Sequence, residues 1–379
     1  MRIGIVTGEY PPMQGGVGAF SHILAGELRQ QGHAVYVFSS REARSSDGID
    51  VSNTADNWHL PTLQAVHRWA VEKHLDVVNL QFQTAAFAMS PWIHFLPEAL
   101  GKTPLVTTFH DLRHPYLFPK AGRLRDWIVM KLARGSDGVI VTNQEDQARL
   151  KHLPKVCLIP IGSNILQRMP ANFDAEIWRT KAGAKTGDFL LAYFGLFNRT
   201  KGLEILLHSM AKLRTAGIPL RLVMIGGVGT SDPTNAAYAD EIQQLIDKLG
   251  LQDYIYQAGY LDEAAVGAFL TASDAVVLPF LDGASYRRGS LMAAIRYHTA
   301  ILTTTPQVHI PAFQHRENML LVKAGDQAAL ESAIQQLYES PQLRQRLREG
   351  AGRLAGEFEW PKIARETTNH LRWVIEESV

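Results

Sequence analysis

Charged residues stand where helices begin at two places in the chain. In FNRTKGLEILLHSM, Arg199 and Lys201 precede a run with helical apolar spacing, and in ASYRRGSLMAAI, Arg287 and Arg288 do the same. A cation beside the positive end of a helix dipole is unfavourable unless an anion shares the position, so both pairs point to a bound anion. The alternative in each case is a solvated basic turn. Gly289, Ser290 and Leu291 would offer backbone amides to the same anion. A third stretch, PPMQGGVGAF, sets Gly15, Gly16 and Gly18 ahead of another amphipathic run. Glycines there would let a sugar or phosphate approach the backbone, or would serve only to turn it. A dinucleotide fingerprint fits poorly, because Pro11 and Pro12 lengthen the loop and Ser21 takes the third glycine position. In the fourth stretch, TTFHDLRHP, His110 could hydrogen-bond a sugar hydroxyl as a neutral imidazole, with Asp111 beside it, or could be a structural histidine. His110 and His114 have the four-residue spacing of helical metal ligands. Metal is the weaker reading: Pro115 follows, and the chain has neither H-E-x-x-H nor a D-x-D pair. No metal or other cofactor is expected.

These residues need a scaffold that holds them in loops after strands. RIGIVTG, AVYVFSS, DVVNLQF, PLVTTFH and GVIVTN read as buried parallel strands, with helices such as VGAFSHILAGELRQQG and RLRDWIVMKLARG between them. Gly32 is a plausible stop for the first helix. A polar, irregular stretch follows KVCLIPIGSN, and then FLLAYFG, LRLVMIGG, YIYQAGY, DAVVLPF, AILTTT and MLLVKA form a second alternating series. The expectation is an α/β protein of two Rossmann-like, doubly wound domains, 1–168 and 169–356. Ligands of such sheets bind beyond the carboxyl ends of the strands, so a cleft between the two domains is the expected site.

Bulk properties narrow the partners. The 379 residues hold 38 Lys plus Arg against 37 Asp plus Glu, a balance that gives no electrostatic reason to expect nucleic acid. The single cysteine, Cys157, cannot form an internal disulfide, and Glu9 and Pro11 fall where a signal peptide needs its apolar stretch. No window approaches the about 18 consecutive apolar residues of a spanning helix. The expected compartment is cytoplasmic, with any membrane contact peripheral at the inner face. KAGRLRDWIVMKLARG mixes Lys120, Arg123, Arg125, Lys131 and Arg134 with Trp127, Ile128, Met130 and Leu132. It reads either as an ordinary helix with a buried face or as one lying on an anionic membrane.

Taken in order, EYPPMQGGVGAFSHILAGELRQQGHAVYVFS, TTFHDL, VIVTNQEDQARL, YFGLFNRTKGLEILLHSM, LRLVMIGG, YQAGYLDEAAVGAFLTASDAVVLPF and ENMLLVKAGDQAAL resemble the family 4 glycosyltransferases over nearly the whole chain. The resemblance implies the GT-B fold, with an acceptor-side first domain and a donor-binding second domain. It also implies metal-independent transfer of a sugar from a nucleotide donor, a UDP-sugar favoured, with retention at the anomeric carbon, as in polysaccharide or glycoconjugate assembly. The acceptor would be a saccharide, a glycoconjugate or a lipid-linked sugar. FEWPKIARETTNHLRWVI looks like the family's terminal helix, so 357–379 is expected to pack back on the first domain.

The resemblance assigns site roles residue by residue. Lys201 matches the lysine of the family's K-G motif, at the leaving diphosphate. The family's arginine follows the strand's glycine directly, where this chain has Leu196, and Arg199 is the candidate replacement. His110 matches the histidine near the reacting sugars, and with Gly16 and Asp111 it marks the acceptor side; Gly15 and Gly16 also border the donor. LDGASYRRGSLMAAIRYHTAILTT occupies the place of the E-x7-E segment, but Ser285 and Ala293 stand where the two glutamates would be. Asp282 is a candidate for part of the missing carboxylate role, and Arg287, Arg288, Gly289, Ser290 and Leu291 remain for the diphosphate. This departure keeps two other readings open, a nucleotide-sugar epimerase or hydrolase and a non-catalytic sugar-nucleotide-binding subunit.

Overall fold

The computed structural model of the chain describes residues 1–13, 15–45, 48–112, 123–162, 167–227 and 233–377, with the side chains of 123–126 and 233–236 left out. Two compact units emerge, Met1–Asn164 with Phe358–Val379, and Ile165–Glu357.

The first unit carries seven parallel strands, β1 (Arg2–Thr7), β2 (Ala34–Ser40), β3 (Asp50–Ala55), β4 (Val77–Phe82), β5 (Leu105–Phe109), β6 (Gly138–Val141) and β7 (Val156–Leu158). Their order is β3-β2-β1-β4-β5-β6-β7. Side chains alternate between two helical layers, as the period-2 pleat requires. Ile3, Ile5, Val77 and Val106 pack with Phe20, Leu24 and Leu28 of helix Gly16–Gln30 and with Trp360, Ile363, Leu371 and Val374 of the last helix. Val6, Val78, Leu80 and Leu105 pack on the opposite side with Leu63 and Val66, and with Val129 and Leu132. The last helix, Trp360–Glu376, therefore completes the first unit and lies beside Gly16–Gln30. Gly32 follows that helix at φ +86°, a left-handed conformation that suits glycine after a helix end.

The second unit has six parallel strands, β8 (Phe189–Phe194), β9 (Leu220–Ile225), β10 (Ile255–Gly259), β11 (Ala275–Leu278), β12 (Ile301–Thr304) and β13 (Leu320–Val322), in the order β10-β9-β8-β11-β12-β13. The α/β architecture expected from the alternating pattern is thus present in both halves. The expected strands omitted DVSNTA, which pairs with β2 at the sheet edge as β3. Most of its residues are exposed or half-buried, so it needs no apolar run.

Chain order reverses where β1 meets β4 and where β8 meets β11. The carboxyl ends of strands part at such points, which opens room for ligands. The loops after β1, β5, β8 and β11 hold most of the candidate residues, and glycine geometry ties two of them together. Gly202 has φ +68°, and a Cβ there would lie 2.1 Å from the Pro279 carbonyl oxygen. The turn after β8 consequently seats against the end of β11, where the Leu281 amide donates to the Thr200 carbonyl at 2.8 Å.

Candidate active site

In the second unit, the turn Arg199–Lys201 places Lys201 Nζ 5.3 Å from the centre of the Phe280 ring. The Arg288 guanidinium lies 4.8 Å from the same ring, and Phe280 is fully buried. Asp282 is ion-paired with Arg288. Two cations thus lie near one aromatic ring, and the carboxylate is ion-paired with one of them. Arg288 immediately precedes helix Gly289–Arg296, and its side chain does not cap that helix. The first amides of a helix lack intrahelical acceptors, so Gly289, Ser290 and Leu291 add to the positive potential. Ser290 Oγ is buried with no hydrogen-bond partner among the described residues. A Cβ at Gly195, φ +145°, would lie 3.3 Å from Lys201 Nζ and 3.8 Å from Ser290 Oγ, so bare backbone forms one wall beside both groups.

Burial, reinforced by the Arg288 charge and opposed by Asp282, pulls Lys201 down from 10.5 to about 8. Between those values the folded chain binds fewer protons than the unfolded one. Stability therefore rises as pH climbs through that window, and the cost of the buried cation is fully present below it. A bound diphosphate would favour the ammonium again, so binding should take up protons. Nucleoside diphosphate affinity is expected to fall as pH rises above about 8, with calorimetry in buffers of different ionisation heat detecting the uptake. Affinity that stays flat from about pH 7 to about pH 10 would remove Lys201 from the anion's contact.

The structure does not bring Arg199 to this group. Its guanidinium donates to both oxygens of Glu241 at 2.6 Å, lies 4.0 Å from Glu204 and sits over Tyr238. Arg287 is half-buried in the preceding turn, and Asp282 is engaged by Arg288 rather than left open. Ala293 is fully buried and Ser285 half-buried, so neither place supplies a carboxylate.

In the first unit, His110 follows β5 and is 6 % exposed. Its Nε2 lies 3.0 Å from Gln81 Oε1, and its ring meets the edge of Phe20 at 4.8 Å. Burial pushes its pKa down to about 4, so the imidazole is neutral at neutral pH. Asp111 is half-buried and accepts from Gln83 at 3.3 Å. His114, the other half of the metal spacing, lies outside the described residues, as do Lys120 and the side chains of Arg123 and Arg125. Among the described residues no group of three or more His, Cys, Asp or Glu is arranged to hold a metal ion.

The glycine loop serves the chain's own carboxylate first. Glu9 accepts from the Gly18 amide near the start of helix Gly16–Gln30, and a Cβ at Gly15 would lie 1.8 Å from Glu9 Oε2. Desolvation raises the Glu9 pKa, with the Gly18 bond opposing it. At Gly16 a Cβ would meet nothing within 4 Å among the described residues. Gly15→Ala should therefore displace Glu9 and lower the melting temperature, whereas Gly16→Leu should spare the fold and impair any ligand resting there. If Gly16→Leu binds and reacts normally, the loop has only a local structural role.

Several residues of these two sites escaped the sequence reading. Phe280 closes the apolar run DAVVLPF, and nothing in the local pattern marks Glu9 as the carboxylate that the glycine loop holds. Asn79 and Gln81 had a visible signal, two amides inside the otherwise apolar strand VVNLQF.

Residues 14–165 match the family described as Glycosyltransferase Family 4, and residues 174–353 match Glycosyl transferases group 1. The EpsD protein of Bacillus subtilis strain 168 is 25% identical over 267 residues, 67% of this chain and 66% of that one. The chain thus spans just under two thirds of that relative's length. A phosphatidyl-myo-inositol mannosyltransferase of Mycobacterium leprae is 23% identical over 96% of this chain and 94% of its own. Among solved structures, HepE of Anabaena in complex with UDP superposes with a TM-score of 0.79 at 18% identity, covering 98% of this chain and 100% of that one. With one family match lying on each of the two α/β units, the matches together spanning residues 14–165 and 174–353, the chain belongs to the family 4 glycosyltransferases.

Proposed function

We propose that the chain transfers a sugar from a nucleotide-sugar donor, a UDP-sugar first, to a saccharide, glycoconjugate or lipid-linked acceptor. Retention at the anomeric carbon and independence of metal are part of the same proposal. The carrying observation is that Lys201 and Arg288 both lie beside Phe280, with Arg288 ion-paired to Asp282 and a helix start without a side-chain cap beside them.

When the bond from the anomeric carbon to the diphosphate breaks, its electron pair passes to a phosphate oxygen. Charge grows there, and fixed cations and amides stabilise that growth more than they stabilise the ground state. The acceptor hydroxyl oxygen forms the new bond to carbon and gives up its proton to the departing diphosphate oxygen. Lys201, Arg288 and the amides of Gly289–Leu291 attend the leaving group. His110, neutral and half a site in itself, attends a sugar hydroxyl.

The UDP preference draws support from the HepE complex. A lipid-linked acceptor draws support from the mannosyltransferase relative and from Trp92 and Trp127, 41% and 50% exposed on neighbouring helical segments. Helix Arg123–Gly135 also buries Val129, Leu132 and Ala133, and Lys131 is ion-paired with Glu98, so peripheral contact would use only its outer face. Among the described residues no helix is long and apolar enough to cross a membrane.

The test is turnover of a panel of nucleotide sugars with and without acceptors, with products identified by mass and anomeric configuration. Acceptor-dependent release of nucleoside diphosphate, unchanged by EDTA, is the expected result. Efficient turnover without acceptor would favour an epimerase or hydrolase, and tight donor binding with no turnover a binding subunit.

A further inference from the structure

We propose that Asn79 and Gln81 form a hydrogen-bond ladder that fixes His110 as the Nε2–H tautomer, so that His110 presents a bare Nδ1 to a ligand hydroxyl. The two amides lie on one side of β4, two residues apart, and both are fully buried. Asn79 Nδ2 sits 3.0 Å from the Val106 carbonyl oxygen and 3.0 Å from Thr108 Oγ1. A backbone carbonyl only accepts, so the Asn79 amide has one orientation. Its Oδ1 must then accept from Gln81 Nε2. Gln81 Oε1 is left facing His110 Nε2 at 3.0 Å. An amide oxygen also only accepts, so Nε2 carries the hydrogen and Nδ1 the lone pair.

Buried amides are costly unless satisfied, and an apolar pair would pack this strand more simply. Here each amide bond is used in passing orientation from a fixed carbonyl to the imidazole. His110 Nδ1 has no partner among the described residues. As an acceptor it suits a hydroxyl and repels a carbonyl or phosphate oxygen. The ligand class is therefore a sugar or acceptor alcohol, an assignment that rests on the sugar-transfer reading; the tautomer itself does not. Gln81 and Asn79 are positioning residues, acting through His110.

Long-range 1H–15N correlation spectra of the labelled protein read the tautomer directly, with the His110 signal assigned by its loss in His110→Asn. The wild type should show neutral His110 protonated on Nε2 alone. Gln81→Met, of similar length but without the acceptor, should lose that single tautomer, with kcat falling about tenfold and donor KM little changed. Gln81→Glu, which keeps an acceptor for Nε2 but offers Asn79 Oδ1 no donor when ionised, should retain the Nε2–H form at about pH 8 and recover only part of the rate. A wild-type Nδ1–H form would overturn the proposal, as would a folded Gln81→Met protein with an unchanged tautomer. If the tautomer shifts in Gln81→Met while transfer proceeds at the wild-type rate, the hydroxyl-recognition role is overturned although sugar transfer stands. Absence of transfer in the wild type, with the expected tautomer, would instead overturn the sugar-transfer reading.

Discussion

Lys201→Ala should slow sugar transfer about a hundredfold or more at saturating donor, a loss of roughly 3 kcal/mol of transition-state stabilisation. Its thermal melting point should not fall. The ammonium is held away from water and near Arg288, and its pKa is pulled down to about 8 for that reason. Removing a cation that folding disfavours takes nothing from the fold at neutral pH, whereas removing the partner of a leaving diphosphate takes much from the rate. Steady-state rates and a melting curve on the same preparation check both halves. A rate within a few-fold of wild type would dismiss Lys201 from the leaving-group role.

Arg288→Gln should separate phosphate recognition from nucleoside recognition. A guanidinium can pair with two diphosphate oxygens but cannot accept a bond from a ribose hydroxyl. Nucleoside diphosphate binding should weaken by about 2 kcal/mol, and by about 2 to 4 kcal/mol if Arg287 is changed as well, with a much smaller loss for the uncharged nucleoside. Part of the single-variant loss would come from Asp282, left without its ion pair beside an incoming anion. The double change Arg288→Gln with Asp282→Asn should recover some affinity. Calorimetry at one ionic strength measures all of these. Equal losses for both ligands would indicate general damage, and no loss for either would make RRGS a solvated turn.

The apolar runs RIGIVT, VVNLQF and FLLAYF announced strands because parallel strands covered by helices on both sides must be apolar on both faces. DVSNTA gave no such announcement, since an edge strand with exposed faces needs none. The helix starts after Lys201 and Arg288 were legible from local periodicity. What those cations face was not. Arg199 stands two residues before Lys201, yet its partner Glu241 lies on helix Pro233–Lys248, a pairing set by how two helices pack. Phe280 gains its role only when the β8 and β11 loops meet at Gly202 and Pro279, a contact 77 residues apart that no local pattern encodes. Glu9 is similar: the glycines suggested a close approach, and folding shows that the chain's own carboxylate makes one of them.

The location of a bound diphosphate tests the central assignment most directly. In a crystal structure with UDP, the diphosphate oxygens should lie within hydrogen-bonding distance of Lys201 Nζ, the Arg288 guanidinium, and Ser290 Oγ or the amides of Gly289–Leu291. A diphosphate found away from Lys201 and Arg288, whether on the Arg199 side of the turn or on the Gly15–Gly16 loop alone, would contradict it.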